Sequence, residues 1–454
     1  MKHLNILVFL AAVFISAGIG CKDSSGSSIP KGVPDTSFGD NGILVDNITT
    51  GGNTTDMGYS MFLDNSSNIY VTGERHNGTN SDMIIWKFNS DGIPDQSFGN
   101  NGVVVDDNAA GGSDFDVGFS IFVDNSGNIY VAGVSKNASG NSDMVIWKYS
   151  NNGMLDDTFG DNGIVSHDNA ANGSSGYDYG RSIFVDNNGS VYVSGESNGV
   201  SGNTDMVIWK YTGAGILDDT FGDNGIVVDD NAAGGGGDDF GQSITVDNSG
   251  NIFVAGTSYG KFYNDDMAIW KYNSDGTPHS FFGDNGTVIY NFSEAPDSED
   301  WGESIFIDGT GNIYVAGQSY TGATYDMAIW KYNADGIPDS TFGTDGVVFD
   351  DNAAGGGNAD MGNSVFVDSE GRVYVAGNSD SQLNREDMTI WRYTANGILD
   401  TSFGNNGIVV ENNAAGGNHV DNGFSIFVNR GKVYVTGYSI NADINSDMVI
   451  WKYK

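Results

Sequence analysis

A block of about sixty residues returns seven times along this chain. Each copy carries the motifs Asp-Met-x-Ile-Trp-Lys/Arg-Tyr/Phe and Phe-Gly-x-x-Gly. The phenylalanines of the second motif lie 60–62 residues apart, at Phe38, Phe98, Phe159, Phe221, Phe282, Phe342 and Phe403. A fixed period of this length means that each unit buries its apolar face only against its neighbours. The repeat therefore constrains the architecture more than any single motif does.

Each unit contains four strand-like runs separated by turn residues. In the unit that begins at Gly118 the runs are 120–123, 129–132, 144–149 and 163–165. Aromatic and β-branched residues dominate the runs, whereas Asn, Asp, Ser and Gly dominate the breaks. Four strands in each of seven units predict an all-β fold, a seven-bladed β-propeller with four antiparallel strands per blade.

The phase of the repeat predicts how the ring closes. The chain begins the pattern at the last strand of a unit, residues 38–45, and ends it at the third strand, residues 447–453. An orphan strand and an incomplete blade would leave open sheet edges. We therefore predict that residues 42–46 pair beside residues 448–453, so that the last blade is built 3+1.

The first twenty residues differ from the rest. Lys2 and His3 precede a short apolar run and a set of small residues, which is typical of a signal peptide. The segment 17–21, Ala-Gly-Ile-Gly-Cys, resembles the lipobox of bacterial lipoproteins. This resemblance implies lipidation of Cys21 and, with Lys22 after it, an outer-membrane or cell-surface location. The alternative is ordinary cleavage that leaves Cys21 a free thiol.

These features predict three segments. Residues 1–20 form the signal peptide, residues 21–33 a lipidated cysteine with a Ser/Gly-rich tether, and residues 34–454 the propeller. The segment 396–407 resembles the delta-60 repeat, and 120–133 is similar to a related propeller repeat of exported bacterial proteins. The resemblance implies a propeller on a secreted or envelope protein. It implies no defined activity.

Net charge limits the partners. The formal charge of −40 opposes binding to nucleic acid and to anionic membrane surfaces. We therefore expect membrane contact only through a lipid anchor, a protein or glycan as partner, and a monomer.

Carboxylates recur at one position before the first strand of every unit. They are Asp56, Asp116, Asp178, Asp239, Asp300, Asp360 and Asp421. The structural interpretation is that each side chain accepts hydrogen bonds from backbone N–H groups of its turn. The functional alternative is cation binding, with Ca²⁺ as the cofactor, since Ca²⁺ takes carboxylate and carbonyl oxygens.

The repeat departs most from its pattern in the loops of the fourth and fifth units. Aromatic residues and one lysine gather there, at Tyr259, Lys261, Phe262, Tyr263, Tyr290, Phe292, Trp301, Tyr320 and Tyr325. Exposed aromatic residues on adjacent loops favour a binding patch. The alternative is that these side chains pack together and fix a longer loop.

No catalytic constellation is evident. The recurring Gly-x-Ser lacks the glycine that a nucleophile elbow requires after the serine, and Glu74, Glu294, Glu299 and Glu386 show no paired spacing. The sequence thus predicts a non-catalytic binding or scaffold lipoprotein of the bacterial cell envelope. A metal-dependent hydrolase or lyase and a calcium-linked structural surface protein are the alternatives.

Overall fold

The computed structural model describes residues 31–46, 55–173, 176–293, 298–382 and 385–454. These residues form seven four-stranded antiparallel sheets arranged as the blades of a ring. The predicted all-β, seven-bladed propeller is confirmed. Within the described ranges, no helix is long and apolar enough to cross a membrane.

In blades 1 to 6 the strands follow one another in chain order, from the axis outward. Blades 1 and 2 contain β2 (Asp56–Leu63), β3 (Ile69–His76), β4 (Ser81–Phe88), β5 (Val103–Asp106), β6 (Gly111–Val123), β7 (Ile129–Asn137), β8 (Ser142–Tyr149) and β9 (Ile164–His167). Blades 3 and 4 contain β10 (Asp178–Val185), β11 (Val191–Asn198), β12 (Thr204–Tyr211), β13 (Ile226–Asp229), β14 (Gly234–Val246), β15 (Ile252–Gly260), β16 (Asp265–Tyr272) and β17 (Thr287–Tyr290). Blades 5 and 6 contain β18 (Asp300–Ile307), β19 (Ile313–Tyr320), β20 (Tyr325–Tyr332), β21 (Val347–Asp350), β22 (Gly355–Val367), β23 (Val373–Ser381), β24 (Glu386–Tyr393) and β25 (Ile408–Glu411). Blade 7 contains β26 (Gly416–Asn429), β27 (Lys432–Asn441), β28 (Ser446–Tyr453) and β1 (Ile43–Val45).

Blade 7 closes the ring as the phase of the repeat predicts. Strand β1 pairs antiparallel with β28, with Ile43 opposite Trp451 and Val45 opposite Val449. The pairing extends beyond the strand, because Val33 N donates to Lys454 O at 3.1 Å and Lys454 N donates to Val33 O at 2.8 Å. The Lys31 carbonyl also accepts from Gly404 N of blade 6 at 2.9 Å. Residues 31–33, which the sequence assigns to the tether, therefore already contact the propeller.

Each blade is fastened to the next through its tryptophan. All seven tryptophans of the repeat are fully buried, as expected of a side chain that removes about 150–250 Å² from water. In blades 2 and 6 the indole N–H also donates to a carboxylate at the end of the preceding outer strand, from Trp147 to Asp106 and from Trp391 to Asp350, each at 3.0 Å. On the closing strand, Asp46 accepts the same bond from Trp86 at 2.6 Å.

A β-bulge interrupts the inner strand of every blade at the residue between the conserved glycine and serine. In blade 1 the register shifts between Gly58 and Ser60, and the same shift recurs in the other six blades. A bulge re-aims the side chain it contains. This residue is called the axial residue of the blade below, because its contacts run to the inner strands of neighbouring blades.

Candidate functional site

The repeated aspartates lie on the face of the ring where the inner strands begin, together with loops such as 107–110 and 138–141. We call this the variable face. Asp116 accepts from Asn108 N at 2.9 Å and Ala109 N at 3.1 Å. Asp178 accepts from Asn169 N at 2.7 Å and Ala170 N at 3.0 Å. These bonds satisfy turn N–H groups and support the structural interpretation of the aspartates.

The same pattern holds around the ring. Asp239, Asp300, Asp360 and Asp421 each accept from the backbone N–H eight residues earlier, at 2.8 Å. The loop before Asp56 lies outside the described residues. Burial raises the pKa of Asp239 to about 7 and those of Asp300 and Asp360 to about 6.

The aspartates do not converge on one point. In the described part of the chain, no three His, Cys, Asp or Glu residues are arranged to hold a metal ion. Ca²⁺ prefers six to eight oxygen ligands, and each aspartate is already engaged by its own turn. The Ca²⁺ hypothesis stays a prediction.

Part of the predicted aromatic set forms a packed cluster. The rings of Trp301 and Tyr325 lie 5.9 Å apart, and those of Tyr320 and Tyr325 lie 5.4 Å apart. Trp301 Nε1 donates to Asp265 Oδ2 at 3.2 Å, and the Tyr325 hydroxyl donates to Glu299. The Trp301–Asp265 bond joins blade 5 to blade 4, and the other contacts lie within blade 5. They agree with the alternative that the aromatic residues fix the loops.

Other members of the set remain exposed. Phe262 is 40% exposed, Tyr263 is 76% exposed and Phe292 is 43% exposed. These three residues are called the aromatic patch. Lys261 is exposed beside them. The turn that carries Phe262 is held to blade 5, because Asn264 Nδ2 donates to Ser298 O at 2.8 Å.

Two members of the predicted aromatic set pack against other residues of the propeller instead. Tyr290 occupies the position that Asp106 has in blade 1, and its ring lies 5.5 Å from the Trp330 ring. Tyr259 is half-buried, and Gly237 passes directly over its ring, where a Cβ would come within 2.5 Å. Both residues therefore contribute to packing more than to an exposed surface.

The axial residues form a ring around the channel, and they differ from blade to blade. In order they are Tyr59, Phe119, Arg181, Gln242, Glu303, Asn363 and Phe424. The Tyr59 ring lies 6.2 Å from Phe119 and 5.7 Å from Phe424. The Arg181 guanidinium lies 4.9 Å from the Phe119 ring. The ring thus has an aromatic part in blades 7, 1 and 2 and a polar part in blades 3 to 6.

Most axial residues pair with one position of the second strand of the same blade. Tyr59 donates to Glu74 at 2.5 Å, and Arg181 Nε donates to Glu196 at 2.9 Å. Asn363 Nδ2 lies 3.4 Å from Asn378 Oδ1 and donates to Gly423 O at 3.0 Å. Blades 2 and 7 have an apolar or aromatic pair, Phe119 with Val134 and Phe424 with Tyr438.

Blades 4 and 5 break this rule. Their pairs are Gln242 with Thr257 and Glu303 with Gln318. Three atoms, Gln242 Oε1, Glu303 Oε2 and Gln318 Nε2, are buried and have no hydrogen-bond partner among the described residues. Burial raises the pKa of Glu303 to about 8, against the lowering effect of the Arg181 charge. The two pairs are called the open pairs, because the side chains of Gln242, Glu303 and Gln318 each leave one buried polar atom without a partner.

Sequence reasoning missed the open pairs. The Gly-x-Ser motif is unlike a nucleophile elbow, and its middle residue is the axial residue. The available signal is that this middle residue is aromatic in three units and polar in four, while the flanking Gly and Ser stay constant in all seven units.

At the opposite end of the channel the inner strands carry phenylalanines. Neighbouring rings lie 5.3–6.3 Å apart, in the contacts Phe62–Phe122, Phe62–Phe427, Phe122–Phe184, Phe306–Phe366 and Phe366–Phe427. Blade 4 has Thr245 at this position. Aromatic side chains therefore dominate the inner strands at the end away from the variable face.

Family models match parts of the chain. A β-propeller repeat (SBBP) matches residues 233–263 and 354–384. A β-propeller domain of unknown function (DUF5122) matches residues 67–98, 125–159 and 309–342. No curated protein has a sequence that matches the chain.

Solved structures share the fold. An ulvan lyase of polysaccharide lyase family PL25 is 12% identical, with 94% of each chain covered and a TM-score of 0.44. The polysaccharide lyase Uly1 is 10% identical, with 98% of this chain and 96% of that chain covered and a TM-score of 0.46. A Trypanosoma rangeli sialidase is 9% identical, with 98% of this chain and 59% of that chain covered and a TM-score of 0.40. At these identities the likeness concerns the fold alone.

One prediction is corrected by this comparison. The prediction that the chain is not an enzyme is wrong as an exclusion, because enzymes are among the propellers of similar fold. Repeated architecture gives no ground for excluding catalysis. The matched repeats and the seven observed blades together identify the chain as a β-propeller repeat protein.

Proposed function

We propose that this protein is a ligand-binding propeller of the cell envelope, anchored through Cys21, whose partner docks on the variable face at blades 4 and 5. The supporting observation is the aromatic patch. Phe262, Tyr263 and Phe292 stay exposed on loops that are otherwise fixed by Asn264–Ser298 and Trp301–Asp265 hydrogen bonds. Cys21 lies outside the described residues.

The rigidity of these loops favours recognition. Ordering a loop upon binding costs about 0.5–1.5 kcal/mol for each side chain that becomes immobilised. The turn that carries Phe262 and Tyr263 is held before any partner arrives, since Asn264 and Asp265 at its C-terminal end are bonded to Ser298 and Trp301. Exposed aromatic side chains on such a support dominate the affinity of many interfaces.

The test is capture of partners from envelope extracts with the mature protein and with the triple variant Phe262→Ala, Tyr263→Ala, Phe292→Ala. We expect the triple variant to lose partners that the unmodified protein retains, at an unchanged melting temperature. A matched control replaces Val200 by Ala, because Val200 is 81% exposed on the corresponding loop of blade 3. Equal capture by the triple variant and the unmodified protein would contradict the proposal.

A catalytic role is the second candidate, and one observation favours it. Glu303 is a buried carboxyl group whose pKa lies near 8 because of burial. Such a group holds its proton at neutral pH and is suited to act as a general acid. Turnover of a polysaccharide by the unmodified protein, lost in Glu303→Gln, would establish this role. An equal rate in both proteins would exclude it for Glu303.

A further inference from the structure

The open pairs of blades 4 and 5 need an explanation. A buried polar atom without a partner costs about 1–3 kcal/mol, and native proteins contain few of them. Here three such atoms come from two adjacent blades, and Gln242, Glu303 and Gln318 are 7%, 3% and 1% exposed. The polar pairs of blades 1 and 3 show that the same positions readily satisfy each other.

The axial ring places these atoms next to the channel. Axial residues of adjacent blades touch, as Tyr59 does with Phe119 and Phe424. The Arg181 guanidinium, two blades away, is close enough to Glu303 to lower the pKa of that carboxyl. Gln242 belongs to the blade between them, so it faces the same space as Arg181 and Glu303.

We propose that the open pairs form a binding site for the hydroxyl groups of an uncharged sugar. The unpartnered atoms are the acceptor Gln242 Oε1, the donor Gln318 Nε2, and Glu303 Oε2, which belongs to a carboxyl group that accepts and, when protonated, also donates. Neighbouring sugar hydroxyl groups can satisfy all three, because each hydroxyl both donates and accepts. This site uses residues other than the aromatic patch and goes beyond the function proposed above.

Charge argues against other ligands. The one cationic side chain of the described axial ring, Arg181, is neutralised by Glu196 and sandwiched by the Phe119 and Tyr179 rings at 4.9 Å. An anionic sugar would be repelled by a chain of net charge −40. A cation would meet the Gln318 amide N–H groups, which cannot ligate it.

The mouth of the channel supplies aromatic surface. Tyr179 and Phe240 lie two residues before the axial residues of blades 3 and 4, and both are half-buried. Trp301 has the same place in blade 5 and is also half-buried. Aromatic rings beside uncharged hydrogen-bonding groups suit a sugar ring, which has apolar C–H faces and a polar rim.

The test is isothermal titration of the mature protein with neutral gluco-, galacto-, manno- and xylo-oligosaccharides, and with oligogalacturonates as charged comparators. We expect saturable binding of at least one neutral series. The variants Gln242→Leu and Glu303→Leu, which keep the volume and remove the hydrogen bonds, should each weaken that binding about tenfold or more. Their melting temperatures should be equal to or above that of the unmodified protein, because each removes an unpaired buried group.

Phe424→Leu is the matched control, because it alters the axial residue on the aromatic side of the ring. It should change the affinity less than about twofold, although it removes packing. Absence of binding to every neutral series, binding of the charged series alone, or unchanged affinity in Gln242→Leu and Glu303→Leu would each overturn the proposal. The triple variant of the aromatic patch should retain sugar binding, so that failure of one proposal is distinguished from failure of the other.

Discussion

Residues 38–46, which close the ring through β1, are called the closing segment. We expect this segment to stabilise the protein as much as the equivalent segment of another blade does. Phe38 precedes β1 and is fully buried, with the Lys452 ammonium 5.1 Å from its ring. Phe159 has the equivalent place inside the chain, is also fully buried, and has the Lys148 ammonium at 5.4 Å. The two sites are therefore matched in chemistry and burial. They differ in that Phe38 reaches its blade from the opposite end of the chain.

The expected loss of stability follows from the burial of these phenylalanine side chains. Replacing a fully buried Phe by Ala costs about 3–5 kcal/mol. For a domain of about 420 residues, an unfolding entropy of roughly 2.1 cal/mol/K per residue converts this cost into a drop in melting temperature of about 3–6 °C. We expect Phe38→Ala and Phe159→Ala to fall in this range together.

Differential scanning calorimetry at one scan rate measures both variants against the unmodified protein. A closing segment that is only loosely docked would detach before the ring unfolds. Phe38→Ala would then change the melting temperature of the ring very little. A drop below about 1 °C for Phe38→Ala beside a drop of about 4 °C for Phe159→Ala would refute the reasoning.

Three further predictions concern the carboxylates. Burial raises the pKa values of Asp239 and Asp266 to about 7, above the unfolded value of 3.8. The folded state therefore binds more protons than the unfolded state, and the melting temperature should fall between about pH 5 and pH 8. A rise in melting temperature over that interval would contradict this prediction. Asp116→Ala should destabilise by about 1–3 kcal/mol in thermal melts, since it leaves the N–H groups of Asn108 and Ala109 unpaired, and a neutral effect would exclude the capping role. Millimolar Ca²⁺ should shift the melting temperature by less than about 1 °C relative to EDTA, because the turn N–H groups already bind the repeated aspartates; a larger stabilisation would support the calcium hypothesis.

The sequence was sufficient to predict the architecture of the propeller. Fixed period, turn chemistry and buried tryptophans specify seven blades, because each blade is stable only against its neighbours. The phase of the repeat was enough to predict the pairing of 42–46 with 448–453. The backbone hydrogen bonds of Lys31 and Val33 to the blades involve no patterned side chain, so the repeat carries no signal for them.

The site was harder to foresee. The aromatic residues of blades 4 and 5 stand out in the sequence, yet their exposure depends on packing partners: Tyr290 meets Trp330, whereas Tyr263 meets solvent. The axial residues depend on a β-bulge, which changes the direction of one side chain without a periodic signature. Whether Glu303 and Gln318 form a hydrogen bond with each other depends on side-chain geometry, which a sequence pattern does not encode.

A crystal structure of the protein soaked in the neutral oligosaccharide that binds most tightly tests the central claim most directly. That claim is that blades 4 and 5 are where the repeat is altered for recognition. The prediction is a sugar hydroxyl within hydrogen-bond distance of Gln242 Oε1, Glu303 Oε2 and Gln318 Nε2. A sugar bound only at other blades, with the open pairs untouched, would contradict it.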